Sequence, residues 1–87
     1  MNMWNDRYAQ PGFLFGTDPA AFLVEQQAYL KRGMSALAIA DGEGRNSVFM
    51  AEKGLDVTAQ DSSEVAIDKA RGLAAARGAK VRYQLAD

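Results

Sequence analysis

Eighty-seven residues, 48% hydrophobic and 24% charged, make one small globular domain and leave no material for a second core. Ten Lys and Arg against eleven Asp and Glu give a formal charge of −1 with no basic cluster, so no nucleic-acid partner is expected. The chain has no Cys and no His, which excludes disulfides, zinc sites built on those ligands, thiol nucleophiles and His-centred triads; no metal site is expected.

Residues 1–17 form an aromatic arm, with Trp4, Tyr8, Phe13 and Phe15 around a Pro11-Gly12 turn. The start lacks the charged-then-apolar architecture of a secretory signal, and no run approaches the ~20 apolar residues that span a bilayer, so a cytoplasmic location without a membrane partner is expected. Residues 18–87 carry the core. Asp18-Pro19 reads as an N-cap and first helical position, and Gly33 as a stop, which predicts a helix over 19–32.

"ALAIA" over 36–40 is a short buried strand, and 45–53 a helix ended by Gly54. Leu55, Val57 and Ala59 alternate with Asp56, Thr58 and Gln60, a second strand. Ser62 or Ser63 caps the next helix, whose Ala66, Ile67, Ala70, Leu73 and Ala74 form one apolar stripe, and Gly78 ends it. Over 80–87, Val81, Tyr83 and Leu85 point inward from a third strand and Lys80, Arg82 and Gln84 outward.

Two consecutive strand-helix-strand units imply a parallel sheet of order 3-2-1, with both connecting helices on one face. The other face is bare, polar on the second and third strands and lined by Ala36, Ala38 and Ala40 on the first. The fold class is therefore α/β, Rossmann-like, and resembles half of an open sheet normally covered on both sides.

Ala40-Asp41-Gly42-Glu43-Gly44 falls at the carboxyl end of the first strand, where open α/β sheets bind ligands. Its glycines allow close main-chain approach, and the helix start that follows favours a carboxylate or phosphate. Asp61, nineteen residues past Gly42 at the end of the second strand, is placed to accept hydrogen bonds from a ribose diol. Together they indicate an adenosine-containing ligand; the bland alternative is an ordinary structural turn. An NAD-type dinucleotide module would use the same parts. Against it, Ser47 stands at the third glycine position of the pyrophosphate fingerprint, and Asp41 and Glu43 would repel a pyrophosphate. The cationic sulfonium and ammonium of S-adenosylmethionine tolerate those carboxylates.

The segments "WNDRYAQPGFLFGTDPAAFL", "ALAIADGEGRNSVFMAEKG", "VTAQDSS" and "YQLAD" resemble class I S-adenosylmethionine-dependent methyltransferases, particularly small bacterial ones similar to the tellurite-resistance and thiopurine methyltransferase-like enzymes. The resemblance implies that Ala40, Asp41, Gly42, Glu43 and Gly44 surround the methionine portion, Asp61 the ribose with Ser62 beside the adenine, and Asp87 the adenine amino group with Ala86 nearby. Arg7, Tyr8 and Phe15-Gly16 would fold over the cofactor. Two positions depart from the pattern: Ala38 replaces the usual first-strand acid, and Ala40 the first glycine of the loop. Family members continue into a seven-stranded sheet, so the expectation is the cofactor half of a methyltransferase acting on an unidentified small acceptor. A truncated, non-catalytic α/β fragment is the other outcome. The bare face would be covered by a C-terminal half or, in a homo-oligomer, by another copy. No residue is singled out as catalytic.

Overall fold

The three strands form in the segments read as strands, but the first lies one residue earlier than expected, at 35–39, and none of its residues is buried. The computed structural model describes residues 3–86. Strands β1 (Ser35–Ile39), β2 (Asp56–Asp61) and β3 (Val81–Leu85) pair in parallel in the order β1-β2-β3, the adjacency the crossovers predict. Helices α3 (Arg45–Glu52) and α4 (Glu64–Ala76) connect them and pack on each other and on the sheet. Between them lies the core. Val48, Val57, Ala59, Ala66, Ile67, Ala70, Leu73 and Ala74 are buried, and each large aliphatic side chain among them contributes ~1.5–3 kcal/mol by leaving water. Of the two candidate caps for α4 the structure uses Ser63, whose backbone is extended (φ −100°, ψ 115°) and whose Oγ accepts from Ala66 N at 3.1 Å.

The first strand is turned over relative to the expectation. Pairing sets Ala36 beside Val57 and Ala38 beside Ala59, so these alanines face the helices. Leu37 and Ile39, 56% and 72% exposed, stand beside Thr58 and Gln60 on the bare face. A one-residue offset exchanges the faces of a whole strand, and register rather than local pattern decided it. Elsewhere the bare face is polar as expected. Arg82 Nη1 donates to Asp56 Oδ1 at 2.7 Å, Arg82 also donates to Thr58 Oγ1, and Gln60 Nε2 donates to Gln84 Oε1 at 2.9 Å. Leu85 shares the helix-side face but lies past the helices' cover, 55% exposed.

The N-terminal third differs most. The helix expected over 19–32 is confined to α2 (Ala21–Glu25) and a 3-10 turn, Gln27–Tyr29. Val24 and Tyr29 are exposed, so the segment lacks the buried face from which short helices draw their stability. Gly33 donates to Gly54 O at 2.9 Å in place of ending a helix. In the arm, Met3–Tyr8 is a helix, α1, which packs on α4. Asn5 fastens it there, its Oδ1 accepting from Ser63 Oγ and, at 3.4 Å, from Val65 N. Among the described residues no helix is long and apolar enough to cross a membrane.

Candidate functional site

Parallel pairing brings the carboxyl ends of β1 and β2 side by side, and the loop from Ala40 to Gly44 rises between them. Ala40 turns the chain with φ +54°, a conformation that costs a non-glycine residue ~1–2 kcal/mol. Gly42 follows at φ +66°, and a Cβ there would lie 2.9 Å from the Tyr8 hydroxyl. The loop is therefore pressed against the arm at a residue without a side chain. Gly44, at φ +96°, meets α4 instead, since a Cβ would lie 2.8 Å from Ala70 Cβ.

Asp61 joins three pieces of the site. Buried at the end of β2, it accepts from Gly42 N through Oδ2 at 2.8 Å and from Ser63 N through Oδ1 at 2.9 Å. One carboxylate thus fixes the glycine loop against the start of α4. Each oxygen has a second lone-pair direction for a further donor, and the residue lines the larger cleft.

Asp41 serves α3. Gly44, the N-cap, has no side chain to offer, and Asp41 Oδ1 accepts from Ser47 N at 3.1 Å while its Oδ2 accepts from Ser47 Oγ at 2.7 Å. Burial raises the Asp41 carboxyl above the ordinary Asp value, against the lowering effect of both Ser47 hydrogen bonds, and Asp61 raises it further. Burial likewise raises the Tyr8 phenol, with Asp61 and Glu43 adding to the rise and Arg7 opposing it, so that it remains a neutral hydroxyl over the loop.

Two adjoining clefts result. The larger, about 370 Å³, lies between the arm and the ends of the first two strands and is bounded by Trp4, Tyr8, Phe15, Ala40, Asp61 and Ser62, with Ile39, Gln60 and Ala86 completing it. The smaller, about 130 Å³, runs over the glycine loop to the start of α3 between Tyr8, Phe15-Gly16, Asp41, Gly42 and Arg45. Together they have the size of a small-molecule site, apolar along the larger cleft and more polar over the glycine loop.

Of the residues expected from the sequence, Tyr8, Ala40, Asp41, Gly42, Glu43, Asp61, Ser62 and Ala86 border these clefts. Gly44 lies beneath, as packing. Arg7 lies outside both linings, its guanidinium stacked over the Trp4 ring at 4.7 Å. Glu43 reaches the smaller cleft, but its side chain turns to the arm, where Oε1 accepts from Leu14 N and Oε2 lies 3.1 Å from Lys69 Nζ. Asp87 lies outside the described residues. The aromatics of the arm divide: Phe13 packs on Val48, Leu73 and Ala74, while Trp4, stacked on Tyr8, and Phe15 bound the cleft. Trp4, Ile39 and Gln60 were not anticipated; the period-two pattern marks Gln60 only as outward-facing. Among the described residues no group of His, Cys, Asp and Glu could hold a metal ion.

The family model of the tellurite resistance protein TehB matches residues 20–82. No curated protein matches the chain significantly. Among solved structures, a protein from work on the conversion of a disulfide bond into a thioacetal group during echinomycin biosynthesis is 32% identical, with a TM-score of 0.72 over 91% of this chain and 34% of its own. The PH0226 protein from Pyrococcus horikoshii OT3 is 33% identical, with a TM-score of 0.62 over 74% of this chain and 28% of its own. Magnesium protoporphyrin IX methyltransferase (ChlM) from Synechocystis PCC 6803, solved with bound SAH, shares the fold at 23% identity, with a TM-score of 0.63 over 77% of this chain and 31% of its own. The chain spans about a third of the length of each.

Proposed function

Because this chain belongs to the tellurite resistance protein TehB family and has the class I methyltransferase fold, we propose that it is the part of a methyltransferase that binds S-adenosylmethionine and presents its methyl group to a small acceptor. One observation carries the reading: Asp61 stands in the cleft at the end of β2, tied to the amide of Gly42 and to the start of α4. A preset carboxylate with free lone pairs suits a vicinal diol.

The residues present fit the cofactor. Its ribose would lie at Asp61, its adenine toward Ser62 and Ala86, and its methionine end over Gly42 in the smaller cleft, near Arg45 and Asp41. Arg45 suits the cofactor's carboxylate, and the loop's negative charge its ammonium and sulfonium. When bound, the cofactor supplies an electrophilic methyl on sulfur. The chain's own work is to orient the cofactor and exclude water, for which Trp4, Tyr8 and Phe15 provide a wall. No side chain here is assigned to proton transfer.

The dinucleotide alternative is disfavoured because the Asp41 carboxylate already takes the Ser47 amide at the start of α3, where a pyrophosphate would seek its donors. The bare face and the outer edge of β1 are proposed as surfaces for a further part of such a protein or for a second copy.

Saturation binding tests the reading. S-adenosylhomocysteine should bind more tightly than NAD, and Asp61→Asn should weaken it by about tenfold, equivalent to the loss of one hydrogen bond to a charged group. Tighter binding of NAD, or an unaffected Asp61→Asn, would reject the proposal.

A further inference from the structure

Lys69 projects from the middle of α4 and lines neither cleft. Its ammonium nevertheless contacts both the arm and the glycine loop. It donates to Gln10 O at 2.6 Å and to Gly12 O, and lies 3.1 Å from Glu43 Oε2. Three oxygens thus surround a group with three protons to give. The contact with Glu43 is an ion pair without hydrogen-bond alignment, and Oε2 has no hydrogen-bond partner. Glu43 is itself buried, and its Oε1 accepts from Leu14 N.

The arm's turn is therefore held at Gln10, Gly12 and Leu14 by one cation and one anion, from α4 and from the loop between Gly42 and Gly44. The arm residues that border the clefts flank this turn, Tyr8 before it and Phe15-Gly16 after it. A carboxylate buried in the loop would be left unpaired if the ammonium were removed, so the pair is costly to break on one side only.

We propose that Lys69 and Glu43 are positioning residues for the cofactor cleft, a clamp that seats the arm's turn so that Tyr8 and Phe15 stand over the glycine loop. The inference rests on reading that cleft as the cofactor site. It assigns to Lys69, which lines neither cleft and reaches them only through Glu43 and the arm, control over how tightly they hold a ligand.

The chain's only tryptophan, Trp4, borders the larger cleft, so its fluorescence can follow titration with S-adenosylhomocysteine. Chymotrypsin can report the arm through cleavage at Phe13 to Phe15, and the core through cleavage at Phe49 in α3. Lys69→Met and Glu43→Gln should each accelerate cleavage in the arm without exposing Phe49 and weaken binding by about tenfold, within the usual range of coupling between linked sites. The double variant should lose little more than either single one, because both remove the same clamp. Lys69→Arg should restore most of the affinity. If Lys69→Met fails to fold, Glu43→Gln, which keeps an acceptor for Leu14 N, decides the matter. Wild-type affinity in the folded variants, or an arm no more open to cleavage, overturns the clamp alone. Failure of the wild-type chain to bind S-adenosylhomocysteine overturns the cofactor reading and the clamp with it.

Discussion

At Ala40 the chain adopts φ +54° with a Cβ in the way. Ala40→Gly should therefore raise stability by up to about 1 kcal/mol, the relief of strain outweighing the extra freedom given to the unfolded chain; a lowered urea midpoint would contradict this. Gly42→Ala should do the reverse. Its new Cβ, 2.9 Å from the Tyr8 hydroxyl, would displace the ring that borders both clefts, so ligand affinity should fall together with stability. Asp41 gives a pH dependence of definite sign. Its carboxyl is raised mainly by burial, so the folded state holds the proton more tightly than the unfolded state. That contribution to stability is present below the unfolded value and is lost as pH rises through the folded value. Asp41→Asn, which keeps an acceptor for Ser47 N, should become progressively more stable relative to the parent chain as pH rises from the ordinary Asp value through the raised folded value. Parallel denaturation curves across that range would show that Asp41 does not titrate as described.

Between elements, the glycine loop approaches α4 closely. Gly44→Ala would force a Cβ to 2.8 Å from Ala70 Cβ and 3.0 Å from Ala70 Cα, at a backbone angle unsuited to alanine. The expected cost is about 3 kcal/mol or more, combining overpacking with strain. Adding Ala70→Gly should recover only the part due to Ala70 Cβ, leaving the contact with Ala70 Cα and the cost of φ, a partial rescue that thermal melts of the double variant against Ala70→Gly alone can read. Ser63 is a second junction. Its Oγ accepts from Ala66 N at the start of α4 and donates to Asn5 Oδ1 of α1, so one hydroxyl both begins a helix and docks the arm. This serine helps to hold the arm at the end of the sheet where the glycine loop lies.

Across the whole molecule, the two faces of the sheet are unequal. Helices cover one; the other shows a polar lattice around Arg82 and, on β1, exposed Leu37 and Ile39. An apolar edge strand with unpaired backbone groups favours association. Light scattering at high micromolar concentration should detect self-association of the 87-residue chain, and Leu37→Thr with Ile39→Thr should shift it toward monomer. A parent chain that stays monomeric under those conditions would refute the predicted self-association.

The strands, both crossover helices and the glycine loop with Asp61 were legible in the sequence, because each depends on alternation, apolar spacing or turn residues within a few positions. The folding of 19–32 was not, since a helix there needs a packing surface that spacing alone does not reveal. Nor was the facing of β1: Leu37 and Ile39 are the larger and more apolar residues, and only pairing with β2 could turn them outward. The Glu43–Lys69 pair and the Asn5 contact join residues 26 and 58 positions apart, a separation over which no local pattern carries information. The sequence by itself determined the three strands, the two crossover helices and the glycine-bearing turn that follows β1. The tertiary structure alone decided which side chains face the clefts, because side-chain direction follows from register and from contacts that form only when distant segments meet.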